Sequence, residues 1–170
     1  YLFKIGRLHE DALEVPAQAM LAYRRVLEIK ADHVGAMHAI QRTAERAGRY
    51  QELVDALERE ASSIADPKRT VALYHRAGEI LEDKLQDAEG ALLRYRKVIG
   101  IDARYAPALA SLGRAHYYAG RWEELIDVYR QELRLSTTAS QAAGLLYKIG
   151  EICEQRVGRV GHCYDRNARR

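Results

Sequence analysis

The segment GRWEELIDVY occupies residues 120–129, and a closely similar segment, GRYQELVDAL, occupies residues 48–57. The two segments start 72 residues apart, and most of the chain up to about residue 154 obeys the same offset without a gap. Matches of this density indicate an internal repeat, because repeat proteins show self-similarity at a fixed period. The chain is therefore expected to fold as an array of similar structural units.

The 72-residue period divides into two shorter ones. Corresponding positions in successive half-periods are Gly6, Gln41, Gly78, Gly113 and Gly150, and their spacings alternate between 35 and 37 residues. Periods in the middle thirties are typical of arrays built from helix pairs. Leucine, alanine, glutamate and arginine dominate the composition, and all of them favour helix over strand. The sequence predicts an all-α fold.

The repeat predicts a helical array over residues 1–156, followed by a segment, 157–170, that reads as a truncated last helix or a frayed tail. The predicted units have the approximate bounds 1–31, 32–65, 66–103, 104–137 and 138–156. The first helix is expected over about residues 1–13. Pro16, Pro67 and Pro107 stand where the first turn of a helix tolerates proline, and Gly48 and Gly120 stand where a helix ends.

Several glycines fall in the middle of predicted helices at the same point of the repeat. Examples are Gly78, Gly113 and Gly150. Glycine in a helix interior costs roughly 1 kcal/mol relative to alanine, so its recurrence needs a reason. Close approach of two helices at this point is the reason that the pattern indicates.

These features resemble the tetratricopeptide repeat family, in which antiparallel helix pairs of about 34 residues stack on one another. The resemblance rests on Leu112-Gly113 in a first helix, on Gly120-Arg121-Trp122 at the following turn, and on Tyr129 in the second helix. It covers residues 1–154. It implies an α-solenoid, a right-handed superhelix of about four and a half repeats, with a concave groove lined by the first helix of each pair.

The chain departs from the family pattern in its even-numbered units. Leu53 and Leu125 stand where the family has alanine, and Glu60 and Glu132 stand where a later small residue belongs. We therefore expect these units to pack at unusual angles. The long alternating units are similar to those of large bacterial scaffold proteins of the family.

The composition limits the classes of protein that fit. The 170 residues are 48% hydrophobic and 30% charged, with a formal net charge of +3, which suits one globular domain or one stretch of a solenoid. No apolar run reaches the roughly 18 residues that a membrane span needs. The chain opens on Tyr1-Leu2-Phe3 without Met, which we interpret as a fragment lacking its native N-terminus. The sequence assigns no compartment, although two cysteines favour a reducing, cytoplasmic one.

No motif for catalysis or for a cofactor appears in the sequence. Nucleophile elbows, zinc-protease motifs and phosphate-binding loops are missing, and the glycines recur with the structural period. Cys153, His162 and Cys163 are the only cluster of metal-ligand types, and they lack the paired spacing that organises zinc. We therefore expect neither enzyme activity nor a bound metal or cofactor.

The family resemblance places one set of basic and aromatic side chains in the concave groove. This set is predicted to bind a peptide or protein surface, and an acidic or C-terminal carboxylate-bearing segment in particular, because arginine pairs bidentately with carboxylates. The alternative is that these charges pair with one another inside the groove, for example Arg76 with Glu79. The predicted binding residues are His38, Arg42, Arg46, His75, Arg76, Arg114, Tyr117, Tyr118, Tyr147 and Lys148.

The sequence leaves three functions open. A protein-binding scaffold segment ranks first. A self-assembling spacer ranks second, because the apolar end of a solenoid, here around Leu145 and Leu146, becomes buried when copies stack end to end. Nucleic-acid binding ranks last, because acidic residues such as Glu10 and Glu79 interrupt any continuous positive stripe.

Overall fold

The computed structural model describes residues 1–157, and over this range the chain forms nine α-helices and a short π-helix, with no strand. The predicted all-α fold is confirmed. The helices are α1 (Leu2–Asp11), α2 (Pro16–Ile29), α3 (Val34–Arg46), α4 (Tyr50–Ser63), α5 (Pro67–Asp83), α6 (Ala88–Ile101), α7 (Ala106–Tyr118), α8 (Trp122–Leu135) and α9 (Ala139–Ile152), and the π-helix covers Cys153–Val157.

The chain divides into two compact blocks, which are called the N-terminal block (Tyr1–Asp102) and the C-terminal block (Ala103–Arg170). Helices α1 to α6 form the N-terminal block, and each packs against the next. In the C-terminal block, described to residue 157, α8 packs against both α7 and α9. Within residues 1–157, no helix has both the length and the apolar character that crossing a bilayer requires.

The helix bounds follow the repeat found in the sequence. Helices α2 and α6, α3 and α7, and α4 and α8 begin and end 72 residues apart. Helices α5 and α9 also begin 72 residues apart. The division into five units stays a prediction, and the tail predicted for 157–170 falls, after residue 157, outside the described residues.

The chain leaves its helices at points that the local sequence dictates. Gly48 and Gly120 have φ values of 66° and 65°, a left-handed conformation that glycine adopts without a steric penalty. Helix α1 ends at Asp11, two residues sooner than expected, since the chain turns through Glu14 at a φ of 51°. Gln86 repeats this turn at a φ of 55°, which shows that the period extends to the backbone of the connections.

Two of the mid-helix glycines, Gly6 and Gly78, are explained by the tyrosines of the second helices. A methyl group built on Gly78 would lie 2.5 Å from the ring of Tyr95, and one on Gly6 would lie within 3.0 Å of three ring atoms of Tyr23. Both tyrosines are fully buried. The glycine therefore lets the ring of one helix lie directly on the backbone of its partner, as the sequence pattern indicated. Gly113 differs, because its nearest neighbour would be Leu125 Cδ1 at an ordinary 3.6 Å.

This difference predicts opposite effects of one substitution. Gly6→Ala and Gly78→Ala should each lower the free energy of unfolding by about 1–3 kcal/mol, because the added methyl group overpacks the buried ring. Gly113→Ala should leave it unchanged or raise it by up to about 1 kcal/mol, because alanine is the better helix former. Urea unfolding followed by circular dichroism measures all three, and equal effects would contradict the close-approach explanation.

Candidate functional site

Two arginines of the predicted groove set, Arg42 and Arg46 on α3, are held by Glu10 of α1. Arg42 donates two hydrogen bonds to the Glu10 carboxylate, each 2.8 Å long, and Arg46 approaches it at 3.8 Å. The hydroxyl of Tyr23 donates a third hydrogen bond, also 2.8 Å long. The hydrogen bonds from Arg42 and Tyr23 outweigh burial and hold the pKa of Glu10 below its ordinary value of 4.5.

Arg76 on α5 makes the corresponding link one helix pair further along. Its Nη2 atom lies 2.8 Å from both carboxylate oxygens of Glu45 on α3. The intrahelical pair with Glu79, named above as an example of the alternative to ligand binding, is therefore not the one that forms. Ion pairs thus join α1 to α3 and α3 to α5, and they account for three of the arginines that the sequence assigned to ligand binding.

His38 belongs to a buried cluster around Glu60. Glu60 is only 2% exposed, and it accepts hydrogen bonds of 2.6 Å from Gln41 and 2.5 Å from Arg69, while His38 Nε2 lies 3.2 Å away. Burial alone would raise the pKa of Glu60, but the hydrogen bonds from Gln41, His38 and Arg69 lower it below 4.5. Helix α4 can thus bury the carboxylate of Glu60 because Gln41, Arg69 and His38 supply its hydrogen-bond partners.

His75 lies inside the N-terminal block and not on its surface. Its ring packs at 5.5 Å against the ring of Tyr95, and its Nδ1 atom lies 3.8 Å from a carboxylate oxygen of Glu79. Little of this side chain is exposed to solvent. A ligand on the surface would therefore meet His75 only at its edge.

The C-terminal block exposes the aromatic part of the predicted set. Tyr118 is 78% exposed and Tyr147 is 73% exposed, and Tyr117 is half exposed. The rings of Tyr117 and Tyr118 meet edge to face at 5.8 Å, and Tyr117 meets the Trp122 ring in the same way at 5.6 Å. Exposed tyrosines offer apolar area together with a hydroxyl, which is a typical composition of binding surfaces.

Lys148 and Arg114 complete the predicted set. The Lys148 ammonium lies over the ring of Tyr129, 5.5 Å from its centroid, at a distance where a cation and an aromatic face attract. Burial and the nearby charge of Glu132 raise the pKa of Tyr129. Arg114 lies on α7 and approaches the hydroxyl of Ser111 at 3.5 Å.

A cleft of about 710 Å³ opens between α7, α8 and α9 of the C-terminal block. It is called the Glu132 cleft and is lined by side chains that include Leu109, Glu132, Leu135, Gln141 and Lys148, together with Gly144. Burial raises the pKa of Glu132, and the positive charge of Lys148 opposes this rise. The volume is in the range of small-ligand pockets, roughly 300–1,000 Å³.

Metal-binding groups do not come together in the described part of the chain. Among residues 1–157, no cluster of three or more histidine, cysteine, aspartate or glutamate side chains could hold a metal ion. Cys153 is buried. His162 and Cys163, the other two members of the cluster considered in the sequence, lie outside the described residues.

The fold and a family model agree on the kind of repeat. Residues 108–143, which span most of α7, all of α8 and the start of α9, match the model of the tetratricopeptide repeat. This stretch of the chain is thus similar to a tetratricopeptide repeat. The crystal structure of MamA is similar in fold, with a TM-score of 0.53 and 20% sequence identity over 78% of this chain and 75% of that one.

A second solved structure is TTC0263, described as a thermophilic tetratricopeptide repeat protein in Thermus thermophilus. It gives a TM-score of 0.41 and 18% identity over 98% of this chain and 91% of that one. No curated protein matches the chain. Tetratricopeptide repeats serve in general as scaffolds for protein–protein interaction and are typically not enzymes.

The sequence reasoning missed the acidic partners of the basic residues. It assigned the basic residues to a ligand and did not assign Glu10, Glu45 or Glu60 as their partners. The period held a signal for one of these, because Glu10 recurs as Glu82 just as Arg42 recurs as Arg114. It also treated Glu60 and Glu132 only as departures from the family pattern, whereas one is the centre of a buried cluster and the other lines a cleft.

The two glutamates at the same point of the repeat predict opposite responses to one substitution. Folding lowers the pKa of Glu60, so its carboxylate stabilises the fold above about pH 4.5, and this contribution is lost as the pH falls. Folding raises the pKa of Glu132. The stability that the protonated side chain contributes is therefore lost as the pH rises through the raised pKa of the folded chain. At pH 7, Glu60→Gln should cost about 1–3 kcal/mol, whereas Glu132→Gln should be neutral or stabilising.

Urea unfolding of both variants beside the unmodified chain at pH 7 and at pH 4 tests this pair. The cost of Glu60→Gln should shrink at the lower pH, since the unfolded chain takes up a proton at this glutamate below about pH 4.5 while the folded carboxylate resists protonation. If both variants lose the same stability at pH 7, the described environments of the two carboxylates are wrong.

Proposed function

We propose that this chain is a segment of a protein-binding scaffold whose partner lies over the exposed tyrosines of the C-terminal block. The observation that carries the proposal is the exposure of Tyr117, Tyr118 and Tyr147 in that block, which also holds the Glu132 cleft. Tyrosine contributes a large apolar area at a low cost in conformational entropy, so exposed tyrosines are favourable contacts for a partner. Scaffolding is also the general role of the fold.

The ion pairs of the N-terminal block support placing the partner on the C-terminal block. Arg42 is hydrogen-bonded to Glu10 and Arg76 to Glu45, while Arg46 approaches Glu10 at 3.8 Å. An acidic ligand there would have to compete with carboxylates that are already bound in good geometry. These pairs also give little support to the hypothesis of nucleic-acid binding, because phosphate binding needs basic side chains that are not already neutralised.

The preference for an acidic partner remains part of the proposal, but its binding site is now placed on the C-terminal block. Arg134 and Lys148, both exposed, lie at the Glu132 cleft and provide positive charge in the same block as the tyrosines. A segment with carboxylates next to an apolar contact residue would complement this surface. Charge of this kind mainly raises the association rate and selects the partner, and the tyrosines supply the contact area.

We expect a double variant, Tyr118→Ser with Tyr147→Ser, to lose the partner while keeping the fold. Neither ring is buried, so the helices should melt at nearly the same temperature, but the affinity should fall at least tenfold because contact area is removed. The measurement is a crosslinking pull-down from the source organism's lysate. The captured protein is then titrated against the purified chain by calorimetry, at low and at high salt.

Tyr1→Ser provides the matched control, since Tyr1 is a fully exposed tyrosine of the other block. It should bind the partner as the unmodified chain does. A partner that binds equally well to the double variant would refute the proposed surface. Recovery of the chain's own copies alone would instead favour the self-assembling spacer, and Leu146→Ser should then abolish the association.

A further inference from the structure

The Glu132 cleft occupies a point of the repeat that can be compared with its counterpart in the N-terminal block. Helices α3 and α4 match α7 and α8 at an offset of 72, and α5 and α9 begin at the same offset. Glu132 therefore holds the position that Glu60 holds one period earlier. The two glutamates are alike in sequence but differ in their surroundings.

In the N-terminal block this position is filled by a guanidinium group from the same chain. Arg69, near the start of α5, reaches back to the carboxylate of Glu60, with Nη2 2.5 Å from Oε1. Gln41 and His38 approach the same carboxylate from α3. A glutamate in the core of this repeat is thus matched to an arginine side chain.

The C-terminal block has lost all three of these partners. Gln141 stands at the position of Arg69, Ala110 at that of His38 and Gly113 at that of Gln41. Among residues 1–157, no side chain donates a hydrogen bond to Glu132 or forms an ion pair with it. A methyl group built on Gly144, on the wall of the cleft, would meet no atom within 4 Å.

We propose that the Glu132 cleft is a socket for the guanidinium group of an arginine side chain that belongs to the bound partner. Glu132 accepts the guanidinium hydrogen bonds, as Glu60 accepts those of Arg69, and Leu109 and Leu135 flank the methylene stem. The inference rests on the proposed function and deepens it, because it names one contact of the partner in addition to the tyrosines. The partner segment then carries an arginine for the cleft together with carboxylates for its basic rim.

Arg104, Arg134 and Lys148 line the cleft together with Glu132, so the carboxylates of the partner must balance the positive charge around an entering guanidinium. Lys148 directs its ammonium over the ring of Tyr129 and makes no ion pair with Glu132. In the N-terminal block the Arg69 guanidinium binds Glu60 and also lies 2.9 Å from His38 Nε2. The raised pKa of Glu132 is the direction expected for a half-buried carboxylate with no cation bound to it.

The test uses N-acetyl-arginine amide, whose only charge is the guanidinium group, and N-acetyl-citrulline amide, its neutral isostere. Each is titrated into the isotopically labelled chain while backbone amide resonances are recorded. We expect the arginine compound to shift amides around Leu135 and Gly144, and the citrulline compound to have little effect. Glu132→Gln should weaken binding of the arginine compound at least tenfold, since it removes a charge-assisted hydrogen bond.

A second variant copies the N-terminal block. Gln141→Arg should place a guanidinium in the cleft from within the chain, as Arg69 does, and should abolish binding of the arginine compound while raising the melting temperature. Equal shifts from the citrulline compound, or undiminished binding by Glu132→Gln, would overturn the proposal. So would an effect of N-acetyl-aspartate amide in place of the arginine compound, which would assign an anion to the cleft.

The arginine-socket proposal and the tyrosine-surface proposal can be refuted independently of each other. If the Tyr118→Ser/Tyr147→Ser variant keeps the partner while the arginine compound still binds the cleft through Glu132, the tyrosine surface is wrong and the socket stands. If the partner needs the tyrosines but binds Glu132→Gln normally, the scaffold function stands and the arginine contact is wrong.

Discussion

The packing of a tyrosine ring on a helical glycine is the constraint on which the rest of the fold depends. In the N-terminal block the ring of Tyr23 lies on the backbone at Gly6, which fixes how closely α1 and α2 approach. The same contact carries the tyrosine hydroxyl to Glu10, and Glu10 in turn holds Arg42 of the next helix pair. One buried ring therefore sets both the spacing within a pair and the attachment of the following pair.

This arrangement also explains why basic residues on the first helices are a poor guide to ligand charge. Glu10 receives the hydroxyl of Tyr23 and Glu82 that of Tyr95, and a buried carboxylate without a cation is costly. Arg42 serves this structural demand, and Arg76 plays a similar part with Glu45. Ligand binding is better sought where the period is broken and aromatic side chains are exposed, as in the C-terminal block.

The fold was predictable from the sequence because its signals are local and repeated. Proline and glycine at helix ends, and apolar residues at helical spacing, indicated where the described helices begin and end. The predicted groove residues were less predictable, because the sequence does not show whether a charged side chain faces solvent or pairs with a carboxylate far along the chain. Arg76, for example, pairs with Glu45, which lies 31 residues away. Deciding between the two requires the distances between neighbouring helices, and no periodicity contains them.

The departures from the family pattern were nevertheless visible in the sequence. Glu60 and Glu132 occupy a position where the family has a small residue, and this departure alone does not say whether it serves stability or binding. The structure separates the two cases through neighbours that the chain supplies or omits. Glu60 keeps Arg69 and is part of the core, whereas Glu132 has Gln141 in the corresponding place and opens on a cleft. In a repeat protein, comparing the same position in two repeats thus separates a side chain that stabilises the fold from one that is available for binding.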